Sequence, residues 1–480
     1  MMPSFGLRPV HGPGLAAAAV VASFMAGCAS FSPDGGMTTV SRIAAVELGQ
    51  EAVKIEDAAA AGGARLRTVR LLESTLSAEM AVQVALLNNK GLQAAYNELG
   101  ISEARFVAAT LPPSPRLTAA AVAGPSFIEV DAGIAAELIA LLTLPERADI
   151  AVDRFRQAQL QAALATLRLA VETRRAYYRA VADTATIGFL EQARLTAEVG
   201  SDLAKKLGET GALSKLDQAR EHAFYADLSA QLAQARLRQR TNRERLTRLM
   251  GLWGRDIAYR LPSSLPTLPR RPRTMETVEI AALERRIDLR VASLETQALA
   301  KELGLTNATR FVTTLELGGA GKYETMRSET IRAGGIQGQI EIPIFDLGET
   351  RLREAREQYM QAVNRLGEKS VNVRSEARAA YQLYRGSYDI ARQYQAQVLP
   401  LRQIVADEAQ LRYNGMLTDL FQLLVDTRAQ IDSNVAAIEA YRDFFIAASD
   451  LSAAISGGGE GDTGVTSARA ARSNAGTNSD

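Results

Sequence analysis

Six polar residues in this chain have the types that could support carboxylate chemistry or bind a ligand: Glu129, Asp131, Glu137, Gln337, Gln339 and Glu341. Carboxylates held close together can act as a general acid and a general base. Each of the six, however, alternates with apolar or small neighbours, as residues do on the two faces of a β-strand. This alternation is typical of a polar face in contact with water, so it favours the lining of an aqueous lumen over a catalytic site.

The chain contains few histidine and cysteine residues that could take part in catalysis or metal binding. The 480 residues include 2 His and 1 Cys, too few for most metal sites and for a Cys–His catalytic pair. His222 is predicted to lie on a helix, facing solvent or a neighbouring helix, and His11 falls in a segment predicted to be removed. The sequence contains no phosphate-binding glycine loop. We therefore expect no enzyme activity, no cofactor and no metal site, and we expect a partner to supply any energy.

Composition favours long helices. Ala, Leu, Gln, Glu and Arg dominate the middle of the chain, and Pro is scarce at 15 residues, a bias typical of long helices and coiled coils. The 55 Lys+Arg residues balance the 54 Asp+Glu residues, which gives no indication of nucleic-acid binding. Predicted helices cover residues 50–110, 143–208, 214–250, 278–306, 349–399 with a kink at Pro400, and a last stretch ending near residue 454. The helix over residues 143–208 alone would be roughly 90–100 Å long.

Two pairs of strand-like runs interrupt the helices, at residues 116–124 and 127–142 and at residues 310–319 and 333–345. In the last run Ile336 and Ile340 alternate with polar residues, a pattern typical of transmembrane β-barrel strands. A half-buried sheet of a soluble protein is the alternative. Because lipid offers the backbone no hydrogen-bond partners, membrane strands must close without a free edge. Four strands cannot enclose a wide pore, so we expect three chains that together supply twelve.

The first residues form a predicted targeting segment. An apolar run that begins at Leu15 is too short to span a bilayer and ends in small residues, as secretory signals do. Its end, Met25-Ala-Gly-Cys28, resembles a bacterial lipobox, in which Cys28 is acylated and becomes the mature N-terminus. Ala29 follows, which by the sorting rule for such lipoproteins implies the outer membrane. A buried or incidental cysteine is the alternative.

The order helix–strand–strand–long helix–turn–helix occurs twice. Gly211 and Gly415 lie 204 residues apart (415 − 211), and the same offset relates Leu213 to Leu417, Leu216 to Leu420, Tyr177 to Tyr381 and Arg147 to Arg351. A shared offset of this kind indicates internal duplication. The predicted organisation is a signal peptide (1–27), a lipidated extended segment (28–70), a first repeat (71–250), a Pro-rich linker (251–277), a second repeat (278–455) and a disordered tail (456–480).

The duplicated order and three local motifs resemble the TolC-like outer-membrane efflux proteins, in particular their lipid-anchored branch. The motifs are Met25-Ala-Gly-Cys28, the strand-to-helix junction Ile342-Pro-Ile-Phe-Asp-Leu-Gly-Glu-Thr-Arg351, and Arg285-Arg-Ile-Asp-Leu289, in which Ile287 stands where Pro is usual. The resemblance covers residues 70–455. It implies a mainly α fold with a small membrane β-barrel part: a homotrimer with a 12-stranded barrel in the outer membrane and an α-barrel in the periplasm.

The resemblance also assigns a role to the two glycine turns, as the tips of helical hairpins that dock to a periplasmic adaptor. The tip residues are Gly211, Leu213, Ser214, Leu216, Gly415, Leu417, Thr418 and Leu420. Both glycines are expected to adopt positive φ, and Ser214 and Thr418 are expected to cap the returning helices. Plain hairpins without a partner are the alternative. An acidic ring a few residues beyond the turn is absent, since Phe421 and Leu424 occupy those positions.

The implied function is a passive exit duct of a tripartite efflux or type I secretion system. The protein would be lipid-anchored in the outer membrane of a Gram-negative bacterium, in contact with outer-membrane lipid, and would work with a periplasmic adaptor and an inner-membrane transporter. A periplasmic adaptor lipoprotein with a coiled-coil hairpin is the second hypothesis, and a purely structural coiled-coil lipoprotein is the third. The sequence leaves open whether the cargo is a drug, a metal ion or a polypeptide.

Overall fold

The computed structural model describes residues 31–275, 277–326, 329–415, 417–418, 420–457 and 459. Its helices are α1 (Met37–Leu48), α2 (Ala58–Leu72), α3 (Ala78–Asn88), α4 (Lys90–Thr110), α5 (Leu138–Leu142), α6 (Leu144–Glu209), α7 (Lys215–Leu249), α8 (Val278–Arg285), α9 (Ile287–Ala308), α10 (Glu349–Gln393), α11 (Leu399–Asn414) and α12 (Leu420–Ser456). Its strands are β1 (Arg116–Gly124), β2 (Phe127–Glu137), β3 (Thr314–Met326) and β4 (Glu329–Glu341). The predicted signal segment, Cys28 and most of the predicted tail lie outside the described residues.

The chain divides into two compact units. The first contains Gly100–Arg156 and Leu294–Ala362 together with the described residues up to Gly36. The second contains Met37–Leu99, Gln157–Ser293 and the described residues from Val363 onward. Each of the two predicted repeats contributes to both units, so the sheet of the first unit is built from two hairpins that are distant in sequence.

The sheet is antiparallel throughout, with the strand order β1-β2-β3-β4. β1 has the predicted bounds, but β2 ends at Glu137 because the next five residues form α5. The second hairpin lies a few residues from its predicted position. Gly318 and Gly319, which suggested the end of a strand, remain paired with neighbours on both sides. β4 ends before Pro343, which has no N–H to donate.

Residues 28–70 were predicted to be extended, and α1 shows that this prediction is wrong for residues 37–48, whereas α2 falls within the helix predicted over residues 50–110. Met37, Val40, Ala44 and Leu48 recur at helical spacing in α1, and all are buried. Asp57 begins α2 by accepting a hydrogen bond from the Ala60 N–H at 2.7 Å. Apolar periodicity and an N-cap residue therefore determine the local structure here.

Two glutamines hold the connection between α1 and α2. The Gln83 amide accepts from the Glu51 N–H at 3.0 Å and donates to the Glu51 carbonyl at 3.1 Å. Gln93 repeats the arrangement, accepting from the Ile55 N–H at 2.9 Å and donating to the Val53 carbonyl at 3.0 Å. Each side-chain amide thus forms the pair of hydrogen bonds that a neighbouring strand would otherwise form with this short extended backbone.

The long helices follow the predicted pattern, with one irregularity. α6 has 66 residues, which corresponds to about 100 Å. The predicted helix from residue 349 continues to Gln393 and then passes through a π-helical turn, Tyr394–Val398, directly before α11. Pro400 provides the cause, because its ring crowds the carbonyl four residues earlier and it donates no hydrogen bond.

Tyr177 and Tyr381, which lie at the same offset in the two predicted repeats, form similar hydrogen bonds. The Tyr177 hydroxyl donates to the Leu76 carbonyl at 3.0 Å, and the Met275 N–H donates to the Tyr381 hydroxyl at 3.3 Å. Burial raises the pKa of Tyr177 to about 12, so its hydroxyl stays protonated and remains a donor. In both repeats a long helix is therefore tied to the segment that precedes the short helices.

A buried ion cluster occupies a break in the helix predicted over residues 278–306, which the structure divides at Arg286. The Arg286 guanidinium binds both carboxylate oxygens of Asp288, at 2.9 and 2.8 Å, and also contacts Glu376. Lys369 lies 3.5 Å from Asp288. Burial works to raise the pKa of Asp288, but the hydrogen bonds and charges of Arg286 and Lys369 outweigh it and hold that pKa below its ordinary value.

We expect Asp288→Asn to lower the free energy of unfolding by about 3 kcal/mol at pH 7, because Arg286 would lose its bidentate partner while buried. The pKa of Asp288 is depressed in the folded state, so this contribution is present above the unfolded-state pKa of about 3.9 and is lost as the pH falls further. Chemical denaturation at neutral and acidic pH would measure both effects. The difference in the free energy of unfolding between the unmodified protein and Asp288→Asn should become smaller below about pH 4.

Glu408→Gln provides the control, since Glu408 pairs with Arg412 and both side chains are exposed. Exposed pairs contribute little, so this variant should resemble the unmodified protein. Equal losses in the two variants would contradict a special role for the buried cluster.

Candidate functional site: the sheet faces and the hairpin tips

The register of the sheet places the six predicted polar residues on one face. Residues opposite each other in neighbouring antiparallel strands project from the same face. The pairs are Glu129 with Glu324, Asp131 with Lys322, Glu137 with Glu316, Gln339 with Glu316, Gln337 with Gly318, and Glu341 with Thr314. The sequence grouped these residues only within each strand, whereas the register joins the two groups into one continuous polar face.

Two pairs of glutamates on this face lie directly opposite each other, and each pair has a cation beside it. Lys322 lies 2.6 Å from Glu129 and 3.3 Å from Glu324. At the helical end of the sheet, Arg116 lies 2.8 Å from Glu316, the neighbour of Glu137. Opposed like charges are destabilising, so these cations offset a repulsion that the register creates.

Sequence reasoning missed five charged members of the polar face: Arg116, Glu316, Lys322, Glu324 and Glu329. The signal was present as a period of two in residues 314–326, but the glycines there were interpreted as the end of a strand. Small residues instead continue the face between the charged groups, since Gly133, Ala320 and Gly335 form one cross-strand row.

The opposite face of the sheet is apolar and exposed. Its large side chains include Leu117, Ile128, Val130, Ile134, Leu317, Ile336 and Ile340. Ile336 is 86% exposed, an unusual value for a large apolar residue. An apolar surface of this extent marks a place where something other than water covers the protein.

β1 and β4 form the two edges of the sheet within the described chain. All 13 residues of β4 are exposed, so its outer backbone groups have no strand beside them in this chain. Because neighbouring strands alternate in direction, β1 and β4 run antiparallel to each other. The β4 edge of one copy can therefore pair with the β1 edge of another and continue the alternation.

The junction after β4 requires a glycine. Asp346 accepts hydrogen bonds from the N–H groups of Gly348 at 3.0 Å and Thr350 at 3.3 Å. Gly348 has a φ of 75°. A Cβ added there would lie 2.3 Å from the Arg310 carbonyl oxygen, which is backbone and cannot move aside. This geometry explains the Asp-x-Gly spacing of the motif on which the family resemblance depends.

The first hairpin tip has the predicted geometry. Gly211 adopts a φ of 76° directly after α6, a conformation that glycine takes without a steric penalty. The N–H groups of Ala212 and Leu213 then donate to the Leu207 carbonyl at 2.8 and 3.2 Å. Ser214 caps α7 by accepting from the Asp217 N–H at 3.1 Å. The predictions of positive φ at Gly211 and of a cap at Ser214 are both confirmed.

The second tip differs, and the prediction of positive φ at Gly415 is wrong. Gly415 has a φ of −83°, because its N–H donates to the Leu411 carbonyl at 2.9 Å and so continues the helical turn. The chain then turns through a bond from the Leu417 N–H to the Arg412 carbonyl at 2.8 Å. α12 begins at Leu420, and the cap predicted at Thr418 remains a prediction. Asp419 and the Leu420 side chain lie outside the described residues.

Both tips expose leucine side chains. Leu216 is 61% exposed and Leu417 is 80% exposed, whereas Leu213 is half-buried. Above the first tip, the exposed His222 contacts the Ser201 hydroxyl through Nδ1 at 2.5 Å, so the prediction that His222 faces solvent or a neighbouring helix is confirmed. The arrangement offers two apolar contact points on short turns that the flanking helices hold in place.

Among the described residues, the His, Cys, Asp and Glu side chains form no group of three or more with the arrangement of a metal site. The same part of the chain contains no helix with the length and apolarity that a membrane span requires.

Solved structures of outer-membrane proteins share this fold. The CmeC outer membrane channel of Campylobacter jejuni aligns with 82% of this chain and 88% of its own, at 17% identity and a TM-score of 0.68. VceC of Vibrio cholerae aligns with 80% of this chain and 97% of its own, at 18% identity and a TM-score of 0.66. The open MtrE channel of Neisseria gonorrhoeae aligns with 79% of this chain and 88% of its own, at 17% identity and a TM-score of 0.65.

No model of a known protein family matches the sequence, and no curated protein matches it. At the identities of these structures the likeness establishes the fold. The mainly α fold with a small antiparallel sheet, as the family resemblance implied, is thereby confirmed.

The two tips generate a matched prediction. Gly211→Ala should destabilise the first tip by about 1 kcal/mol, because a Cβ is unfavourable at positive φ. Gly415→Ala should change little, since its φ is ordinary and a Cβ would lie 3.4 Å from the Leu411 carbonyl oxygen. Hydrogen exchange of the Ala212 and Leu213 amides would measure the first effect as about fivefold faster local opening. Equal responses at the two glycines would contradict the difference in φ.

Proposed function

We propose that this protein is an outer-membrane channel, the passive exit duct of a tripartite efflux or type I secretion system. The proposal depends mainly on the four-stranded sheet, which has one polar face, one exposed apolar face and two open edges. Such a sheet is stable in a membrane β-barrel, where lipid covers the apolar face and water covers the polar face. The fold shared with outer-membrane channels supports the same conclusion.

Closure of the sheet requires more than one chain. Each copy offers the β4 edge to the β1 edge of the next copy, and head-to-tail contacts of this type form rings when the rotation closes. Three copies supply twelve strands, enough for an open lumen. The homotrimer thus satisfies the edge backbone groups that lipid would leave without partners.

The long helices and their turns provide the periplasmic part of the duct. In the proposed trimer, α6, α7, α10, α11 and α12 form the α-barrel, and the two tips dock to the hairpin of a periplasmic adaptor. The exposed Leu216 and Leu417, with Leu213, Leu420 and the turn residues between them, are the proposed contacts. The channel contributes no energy, which comes from the inner-membrane transporter of the assembly.

Lipidation of Cys28 completes the proposal and anchors the protein in the outer membrane of a Gram-negative bacterium. Cys28 itself lies outside the described residues. Four residues later, the Ser32 N–H donates to the Glu103 carboxylate at 2.6 Å. A chain of four residues spans at most about 14 Å, so an acyl chain on Cys28 would enter lipid close to the unit that carries the sheet.

The lumen should prefer cations. Seven carboxylates share the polar face with two cations, Arg116 and Lys322; the carboxylates belong to Glu129, Asp131, Glu137, Glu316, Glu324, Glu329 and Glu341. In planar bilayers the purified protein should form pores with a permeability ratio of potassium to chloride above one, because rings of carboxylates attract cations. An adaptor or a structural lipoprotein would form no pores.

Asp131→Asn combined with Glu137→Gln should lower that ratio while leaving the pores open. No ion pair to either carboxylate occurs in the part of the chain that the structure describes, so their removal leaves no cation unpaired. Thr325→Ala on the apolar face is the control and should leave the ratio unchanged. A ratio insensitive to the double variant would mean that this face does not line the conducting path.

Leu417→Asp should abolish export while the trimer persists, because a charge would replace the most exposed apolar contact of the tips. Loss of an apolar anchor costs about 2 kcal/mol, or about 30-fold in affinity for the adaptor. Leu66→Asp is the matched control, since Leu66 on α2 is also highly exposed and plays no part in the proposed docking. Cross-linking would report the trimer, and unchanged export with Leu417→Asp would refute the docking assignment.

A further inference from the structure

Among the described residues, one cation lies on the apolar face of the sheet. Arg332 of β4 lies opposite Tyr323 of β3, and its guanidinium carbon is 5.6 Å from the centre of the Tyr323 ring. Val130 of β2 is the next neighbour in the same row. Within the described residues no carboxylate forms an ion pair with Arg332, because the nearby glutamates project from the polar face.

Two other arginines of the sheet region, Arg116 and Arg310, have acidic partners among the described residues. Arg116 pairs with Glu316 on the polar face. At the helical end, Arg310 lies over the Phe311 ring at 4.6 Å and also pairs with Glu349 at 2.6 Å. Arg332 repeats the arginine–aromatic contact without the carboxylate. The anion that would complete its site is therefore external to the described chain.

The position of Arg332 along the sheet is defined by the apolar residues between it and the helices. Eight residues separate Tyr323 from Leu315 on β3 (323 − 315), and eight separate Arg332 from Ile340 on β4 (340 − 332). Eight strand residues span about 27 Å, or about 21 Å along the membrane normal at a tilt of about 40°. The apolar band of an outer-membrane barrel is about 25 Å tall, which places Arg332 at its hairpin-side boundary.

The chemistry at this boundary suits a phosphate. An arginine presents a planar fork that binds phosphate oxygens with two parallel hydrogen bonds, and stacking on an aromatic ring restricts the guanidinium before it binds. Thr325 and Thr330 lie next to the pair, one row closer to the hairpin turn on the same face, with their hydroxyl oxygens 3.5 Å apart. They add hydroxyl donors beside the guanidinium.

We propose that Arg332, supported by Tyr323, binds the phosphate of an anionic lipid headgroup in the leaflet on the hairpin side. The inference rests on the proposed membrane channel and deepens it, since it names the lipid chemistry that this face recognises. A ring of three chains would carry three such sites. Each would fix the depth of the sheet in the bilayer by a contact that apolar side chains alone cannot supply.

Native mass spectrometry of the full-length protein in detergent tests the proposal. The probes are phosphatidylglycerol, phosphatidylcholine and inorganic phosphate, each titrated separately. The unmodified protein should retain phosphatidylglycerol in preference to phosphatidylcholine, and Arg332→Gln should reduce that preference about fivefold per site, the effect of one cation near an anionic surface. Lys322→Gln on the polar face is the control and should keep the preference. Arg332→Lys should restore part of it, because the charge returns without the fork.

An unchanged lipid preference in Arg332→Gln would overturn the proposal, as would displacement of the lipid by millimolar inorganic phosphate, which would indicate a site for free phosphate. Conductance in planar bilayers separates these results from failure of the channel itself. Pores that persist with an unchanged lipid preference reject only the headgroup site. Absence of pores in the unmodified protein rejects the proposed function and the headgroup site with it.

Discussion

Backbone hydrogen bonding at the open edges of the four-stranded sheet is the constraint on which the proposed architecture depends. β1 and β4 leave a row of N–H and C=O groups without strand partners among the described residues. Water could satisfy those groups, but water cannot cover the apolar face favourably, and lipid that covers the apolar face cannot satisfy the edges. In the proposed channel, further copies of the same sheet, joined edge to edge, satisfy both demands. The proposed oligomer thus follows from backbone chemistry combined with side-chain alternation.

The order of helices and strands is similar in the two halves of the chain, but the two halves are not copies in detail. Gly211 turns through a left-handed conformation, whereas Gly415 continues a helical turn. Both halves break a helix near the same place. Asn89 bridges the first break by donating to the Leu249 carbonyl at 2.9 Å, and the Arg286–Asp288 pair occupies the second. Similar backbone geometry is therefore stabilised by neutral hydrogen bonds in one half and by buried charge in the other.

The charged residues of the sheet have different partners on its polar and apolar faces. On the polar face, Lys322 and Arg116 offset glutamates that the register brings opposite each other. On the apolar face Arg332 has an aromatic neighbour in place of an acid. A cation between carboxylates stabilises the sheet itself, whereas a cation on an apolar face needs an anion from its surroundings. The polar face thus carries structural ion pairs, and the apolar face carries the proposed contact with the membrane.

The sequence by itself determined the course of the long helices and which residues of each strand share a face, because helical periodicity, proline and strand alternation act within a few residues. Pro115 and the alternation around Glu129 were sufficient for β1 and for the start of β2. Only the tertiary structure decided that β3 continues through Gly318 and Gly319, that Glu129 faces Glu324, and that Gly211 and Gly415 differ in φ. Those outcomes depend on pairing between segments about 200 residues apart (324 − 129), or on which carbonyl a turn can reach, and local sequence patterns carry neither kind of information.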